Sequence, residues 1–101
     1  MAKTVEKVEC ATPTPGKATT RIDKWKYDAV SKAILKAVPV SGAGLPFRDL
    51  PGKVAQVLPE KLRDTIGSIP WYTTVVKLDM EVRGKLRRLP DVQPQRLLRV
   101  K

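Results

Sequence analysis

The stretch from Ser68 to Gly84 constrains the fold more than any other part of this chain. Ser68 is a capping residue, Pro70 sits where a first helical turn tolerates proline, and Gly84 stands where a C-terminal glycine releases the chain. Between them Trp71, Val75, Leu78 and Val82 are spaced four, three and four, with Val76 and Met80 widening the stripe. That spacing predicts a helix whose stripe is buried and whose Thr74, Lys77 and Glu81 face outward. Asp79 and Arg83 stand four apart with the acid first, the favourable order for a helix ion pair, so Asp79 reads as structural.

The same punctuation organises the rest. Asp23 precedes Trp25, Tyr27, Val30, Ile34 and Val38, with Ala29, Ala33 and Ala37 between them, which predicts a first helix stopped by Pro39. Ser41 to Gly44 is a turn, and Leu45-Pro46-Phe47 an extended piece. Asp49 then caps a second helix carrying Leu50, Val54, Val57 and Leu58, broken near Pro59. Glu60 to Ile66 adds a further helical turn with Leu62 and Ile66 inward, and Gly67 ends it. After Gly84, two apolar-basic runs, 85–89 and 95–100, flank a Pro/Asp/Gln turn and predict a closing hairpin. Residues 11–20 hold no large apolar side chain and cannot offset their ordering entropy. The expected division is therefore a flexible arm over 1–21 and one domain over 22–101.

Composition removes most enzyme chemistry. With no histidine and one cysteine, Ser-His-Asp and Cys-His catalysis, Cys/His zinc sites and internal disulfides are out of reach. No carboxylate pair is placed for acid-base work, and Gly42-Ala43-Gly44 lacks the third glycine and the Gly-Lys-Ser/Thr of a phosphate loop. The expectation is a protein that is no enzyme and holds no metal or small-molecule cofactor. A lone Cys10, no secretory apolar region and no run near the ~20 apolar residues of a membrane span point to the cytoplasm.

Charge is uneven. The total is +10, and by segment residues 1–24, 25–66, 67–84 and 85–101 carry +2, +3, 0 and +5. Half of the excess lies in the closing hairpin and its tail, where Arg87, Arg88, Arg96 and Arg99 stand on strands whose alternate residues share a face, so several can reach the phosphates of one duplex. The bland reading of these arginines is a solvated rim that protects a strand edge. The third helix is neutral and offers few base-reading groups, so Tyr72, Thr73, Thr74 and Lys77 are candidates for phosphate contact rather than sequence readout. Ordinary helix surface is the alternative for Thr73 and Thr74. Trp71, at the start of an apolar stripe, reads as core. Trp25 and Tyr27, beside Lys24 and Lys26, belong either to the core or to a dimer or partner face.

Helix, short strand, helix, longer helix and hairpin is the order of a winged helix-turn-helix, a mainly α fold with a small β-hairpin and the order α-β-α-α-β-β. Gly67-Ser68-Ile69-Pro70-Trp71-Tyr72-Thr73-Thr74-Val75-Val76-Lys77-Leu78-Asp79-Met80-Glu81-Val82-Arg83-Gly84-Lys85-Leu86-Arg87-Arg88, followed by Pro94-Gln95-Arg96-Leu97, resembles a family of small, mostly bacterial winged-helix domains of unassigned function. Glu-x-x-Gly-x-Leu, here Glu81 to Leu86, is similar to the helix-to-wing junction of many winged-helix regulators. The resemblance implies that residues 69–83 occupy the recognition-helix position and that Leu-Arg-Arg and Gln-Arg-Leu are wing strands. Three functions follow as expectations: weak duplex-DNA binding by a transcriptional or nucleoid-associated factor, a protein-interaction or dimerising winged helix without DNA binding, and an RNA-associated basic domain.

Overall fold

The computed structural model describes residues 6–12, 19–89 and 95–100. An N-terminal hairpin pairs β1 (Lys7–Cys10) antiparallel with β2 (Thr20–Asp23). Four helices follow: α1 (Lys24–Ala37), α2 (Leu50–Val57), α3 (Glu60–Ile66) and α4 (Ile69–Val82). Leu45–Pro46 forms the short strand β3, and a single 3-10 turn, Phe47–Asp49, leads into α2. β4 (Leu86–Arg88) and β5 (Arg96–Arg99) complete an antiparallel sheet in the order β3-β5-β4. The architecture is mainly helical, as the element pattern predicts, with two small antiparallel sheets where that pattern predicts a single closing hairpin.

Local chemistry accounts for the boundaries. The Ser68 hydroxyl accepts from the Trp71 amide at 3.3 Å, capping α4, and Gly84 turns the chain into β4 at a φ of 77°. α1 ends where the Val38 amide closes on the Ile34 carbonyl and Pro39 forbids a further turn. Asp23 precedes α1 without a side-chain capping bond; its carboxylate pairs with Lys7 across the hairpin instead.

The hairpin corrects the expected N-terminal arm over its described part. Val8 and Cys10 alternate with exposed Lys7 and Glu9, and Cys10 joins Ile22 in the core. Pairing with a strand ten residues on supplies the backbone bonds that local composition could not foretell. Residues 13–18, also assigned to the arm, lie outside the described residues.

α1 packs against α2 and α4, and the core is built from Val30 and Ile34 of α1, Leu50 and Val54 of α2, Ile66 of α3, Val76 and Met80 of α4, and Leu86 and Leu97 of the sheet. α4 is turned about its axis from the expected orientation. Thr73, Val76, Lys77, Asp79 and Met80 are buried, while Trp71 and Val82 are 47% and 49% exposed. The helix carries apolar residues on two sides, and on the inner side the two charged members find partners outside the helix, Lys77 in Gln95 and Asp79 in Tyr27. Among the described residues no helix is long and apolar enough to cross a membrane.

Candidate functional site

The basic hairpin does not present its arginines together. In the β4–β5 register Leu86 faces Arg99, Arg87 faces Leu98 and Arg88 faces Leu97. Side chains opposite each other share a face, so Arg88 and Arg99 lie on the side of the core residues Leu86 and Leu97, and Arg87 and Arg96 on the other. Arg88 Nε pairs with Glu81 Oε1 at 2.5 Å, and Arg96 donates to the Gly44 carbonyl at 3.3 Å. Arg99 is half-buried, whereas Arg87 is exposed. Strand alternation divides the four arginines between the two faces: residues 87 and 88 are neighbours and 96 and 99 are three apart, so each pair is split.

The α4 candidates divide in the same way. Thr73 is buried, and its hydroxyl has no hydrogen-bond partner among the described residues. Lys77, 1% exposed, forms an ion pair with Glu81 Oε2 at 2.7 Å, donates to Gln95 Oε1 at 2.5 Å, and lies 4.5 Å from the centre of the Phe47 ring. Burial pushes the Lys77 pKa down, against the pull of the Glu81 carboxylate. Both residues are corrected as phosphate contacts, because they face the interior and Lys77 ties α4 to the sheet. Thr74 is half-exposed, but its hydroxyl donates back to the Pro70 carbonyl at 3.0 Å. Tyr72 is half-buried, accepts from Lys26 Nζ at 3.2 Å and meets Trp71 edge to face.

Trp25 and Tyr27 do not share a face. Trp25 is 41% exposed, with Lys26 Nζ 5.5 Å from its ring, while Tyr27 is buried against Asp79. Asp79 is structural, as its spacing predicts. Its carboxylate takes Tyr27 Oη at 2.5 Å, Arg83 Nε at 2.6 Å and the Ala11 amide at 3.0 Å, which fastens the N-terminal hairpin to α4. Arg83 is held above its ordinary pKa by that bond.

What α4 turns to solvent is the stripe Trp71, Val75, Leu78 and Val82, its ends exposed and its middle half-buried. No charge lies on it. The sequence shows this stripe, but the periodicity of one helix cannot say which of two apolar sides is inner. The signal was the second set, Ile69, Val76 and Met80. A cleft of about 190 Å3 between α1 and the α2–α3 turn, lined by Ala29, Ala33, Leu58 and Leu62 with Lys32 and Lys36 alongside, falls below the usual ~300 Å3 of a small-molecule site. Among the described residues no group of three His, Cys, Asp or Glu side chains could hold a metal ion.

The molecule is thus a small helical protein with a basic hairpin and an uncharged, apolar helix face. It belongs to a family of unknown function (DUF6958), whose model matches residues 7–97, beginning at the first residue of β1. Comparison with curated proteins and with solved structures finds no match.

Proposed function

We propose that the chain is a cytoplasmic winged-helix protein of the small bacterial kind whose α4 docks another protein surface rather than reading DNA. The observation that carries this reading is the outward stripe Trp71, Val75, Leu78 and Val82. A base-reading helix offers Arg, Asn or Gln to groove edges, whereas an uncharged apolar face rimmed by polar residues suits protein contact. Supporting the winged-helix reading is the sheet order β3-β5-β4, which lays a C-terminal hairpin beside a strand from between α1 and α2.

Duplex DNA is the second reading, favoured by exposed Lys85 and Arg87 and by the +5 of residues 85–101. Its mode is weak, salt-sensitive phosphate contact without α4.

The test is an amide NMR titration of labelled protein with a random ~20 base-pair duplex at ~0.15 M salt, repeated at higher salt. Shifts confined to Lys85, Arg87 and scattered lysines, with α4 unmoved, are the expected result. Salt-sensitive shifts at Thr74, Val75 and Leu78 would show α4 lying on the duplex and overturn the docking reading.

A further inference from the structure

We propose that the surface that covers α4 is a second copy of this chain, laid antiparallel on the first about a two-fold axis at the level of residues 76 and 77. The proposal rests on the protein-docking reading of α4.

Three observations carry it. First, the outward stripe reads the same from either end, because its spacing is four, three, four. When two such helices cross antiparallel, Trp71 of each copy meets Val82 of the other, and Val75 of each meets Leu78 of the other. Large side chains face small ones at the ends, and medium faces medium at the centre. This is the self-complementarity that an isologous two-fold interface demands.

Second, the stripe lies in the part of the chain best suited to meet itself. Residues 67–84 sum to zero in a chain of +10, and the acids and bases within them are engaged inside one copy: Asp79 with Arg83, and Glu81 with Lys77 and Arg88. Any interface through the hairpin or through α1 would bring lysines and arginines against their own kind. An acidic partner would gain most from those basic surfaces and least from a neutral stripe.

Third, exposure is greatest where the pairing needs it. Trp71 and Val82, at opposite ends of the stripe, are each about half exposed, whereas Val75 and Leu78 between them are already partly covered. Pairing both ends at once requires the full length of the helix, which a two-fold-related α4 supplies.

Four side chains from each copy make a small interface, so the association is weak and transient. Its response to salt is distinctive. The contact is apolar and the remaining surfaces repel, so added salt strengthens it by screening, whereas salt weakens phosphate binding.

The test uses the full chain over ~0.02 to ~1 mM protein, at ~0.05 and ~0.5 M salt, by sedimentation velocity together with isotope-filtered NOE spectroscopy on a mixture of labelled and unlabelled protein. Eleven residues of helix separate Trp71 from Val82, a rise of about 16 Å, so a contact between the Trp71 ring and the Val82 methyls arises only between two copies. The expected result is a dimer fraction that grows with protein and with salt, and a filtered Trp71–Val82 contact. Val82→Glu, at an exposed position, weakens association at least ~10-fold with the remaining amide spectrum unchanged. Trp71→Ser repeats this from the other end of the stripe.

A monomer at every concentration and salt overturns the proposal, as does a dimer that both variants leave intact or one whose filtered contacts come from the hairpin. If the chain is monomeric and duplex DNA still leaves α4 unmoved, self-association alone falls and a different protein partner covers the stripe. Salt-sensitive DNA shifts on α4 overturn both readings.

Discussion

The Tyr27 hydroxyl donates to Asp79 Oδ2 at 2.5 Å across 52 residues of sequence, and both side chains are buried. Asp79 also receives Arg83 Nε and the Ala11 amide, so one carboxylate joins α1, α4 and the end of β1. Tyr27→Phe removes one donor of three and costs about 1–2 kcal/mol. Asp79→Ala strands the buried hydroxyl and the Ala11 amide and costs about 3 kcal/mol or more. Urea unfolding gives the two values, and hydrogen exchange locates the damage: Asp79→Ala speeds exchange at Ala11 and along β1 before it reaches α2. Equal costs for the two variants would mean that the other two donors contribute nothing.

Cys10 sets an alkaline limit on stability. The thiol is 2% exposed, and burial, reinforced by the Asp79 carboxylate and opposed by Arg83, pushes its pKa up from 9.0 to about 11. Below pH 9 both folded and unfolded chains keep the proton. Above it the unfolded chain loses the proton first, so stability falls between pH 9 and about 11, by about 2–3 kcal/mol in full. Tyr27, pushed upward chiefly by burial, adds a loss at still higher pH, and Lys77, pushed downward, works in the opposite sense. Both remain in Cys10→Ala, so the difference between the denaturation curves of wild type and variant across pH 8 to 10, no higher than the ordinary pKa at which Tyr27 titrates in the unfolded chain, reports the thiol. A pH-independent difference would refute the assignment.

Much of the fold can be read from punctuation. Ser68, Pro70 and Gly84 bound α4, Pro39 stops α1, and Pro59 and Gly67 bound α3, because caps and breakers act over one or two residues. The facing of α4 is a different matter. Counting apolar positions favours an inward Trp71–Val82 stripe, yet the inner side holds Lys77 and Asp79, made tolerable by Gln95 and Tyr27 from 18 and 52 residues away. No periodicity within a helix registers such partners. The β1 strand has the same cause: Val8 and Cys10 do alternate with Lys7 and Glu9, but the partner strand lies beyond a Pro/Thr-rich stretch that resembles a tail. Alternation alone separates Arg87 from Arg88 and Arg96 from Arg99, but which face of the hairpin meets the core and which side of α4 is inner are settled by distant residues.

Gly44 and Gly42 offer a matched pair. Both lie at positive φ, 78° and 91°, where an alanine is strained by about 1–2 kcal/mol. At Gly42 an added Cβ meets open space, whereas at Gly44 it would stand 2.8 Å from the Leu97 carbonyl oxygen and 3.2 Å from Leu89 Cδ1. The carbonyl is backbone in the central strand β5 and cannot swing aside. Gly44→Ala therefore costs at least ~1 kcal/mol more than Gly42→Ala and loosens the β3–β5 pairing, read as faster amide exchange at Phe47, whose amide donates to Gln95. Equal costs would place the penalty in the backbone angle alone.

Lys77 separates the roles of charge and packing in α4. Its ammonium is enclosed by Glu81, Gln95 and the Phe47 ring, and Glu81 also holds Arg88. Lys77→Met keeps the volume, leaves Glu81 paired with Arg88, and changes stability by no more than about 1 kcal/mol. Glu81→Ala leaves a buried ammonium with Gln95 alone and costs about 3 kcal/mol. The same variants address nucleic acid directly. Since Lys77 is inside, Lys77→Met leaves the salt dependence of duplex binding unchanged, while Arg87→Glu, at an exposed strand position, lowers affinity at low salt and flattens the slope by about one. Salt titrations of the two variants decide the matter. A flattened slope for Lys77→Met would mean that α4 rotates on DNA to expose its inner side, and the apolar stripe would then be the core face that the sequence alone suggests.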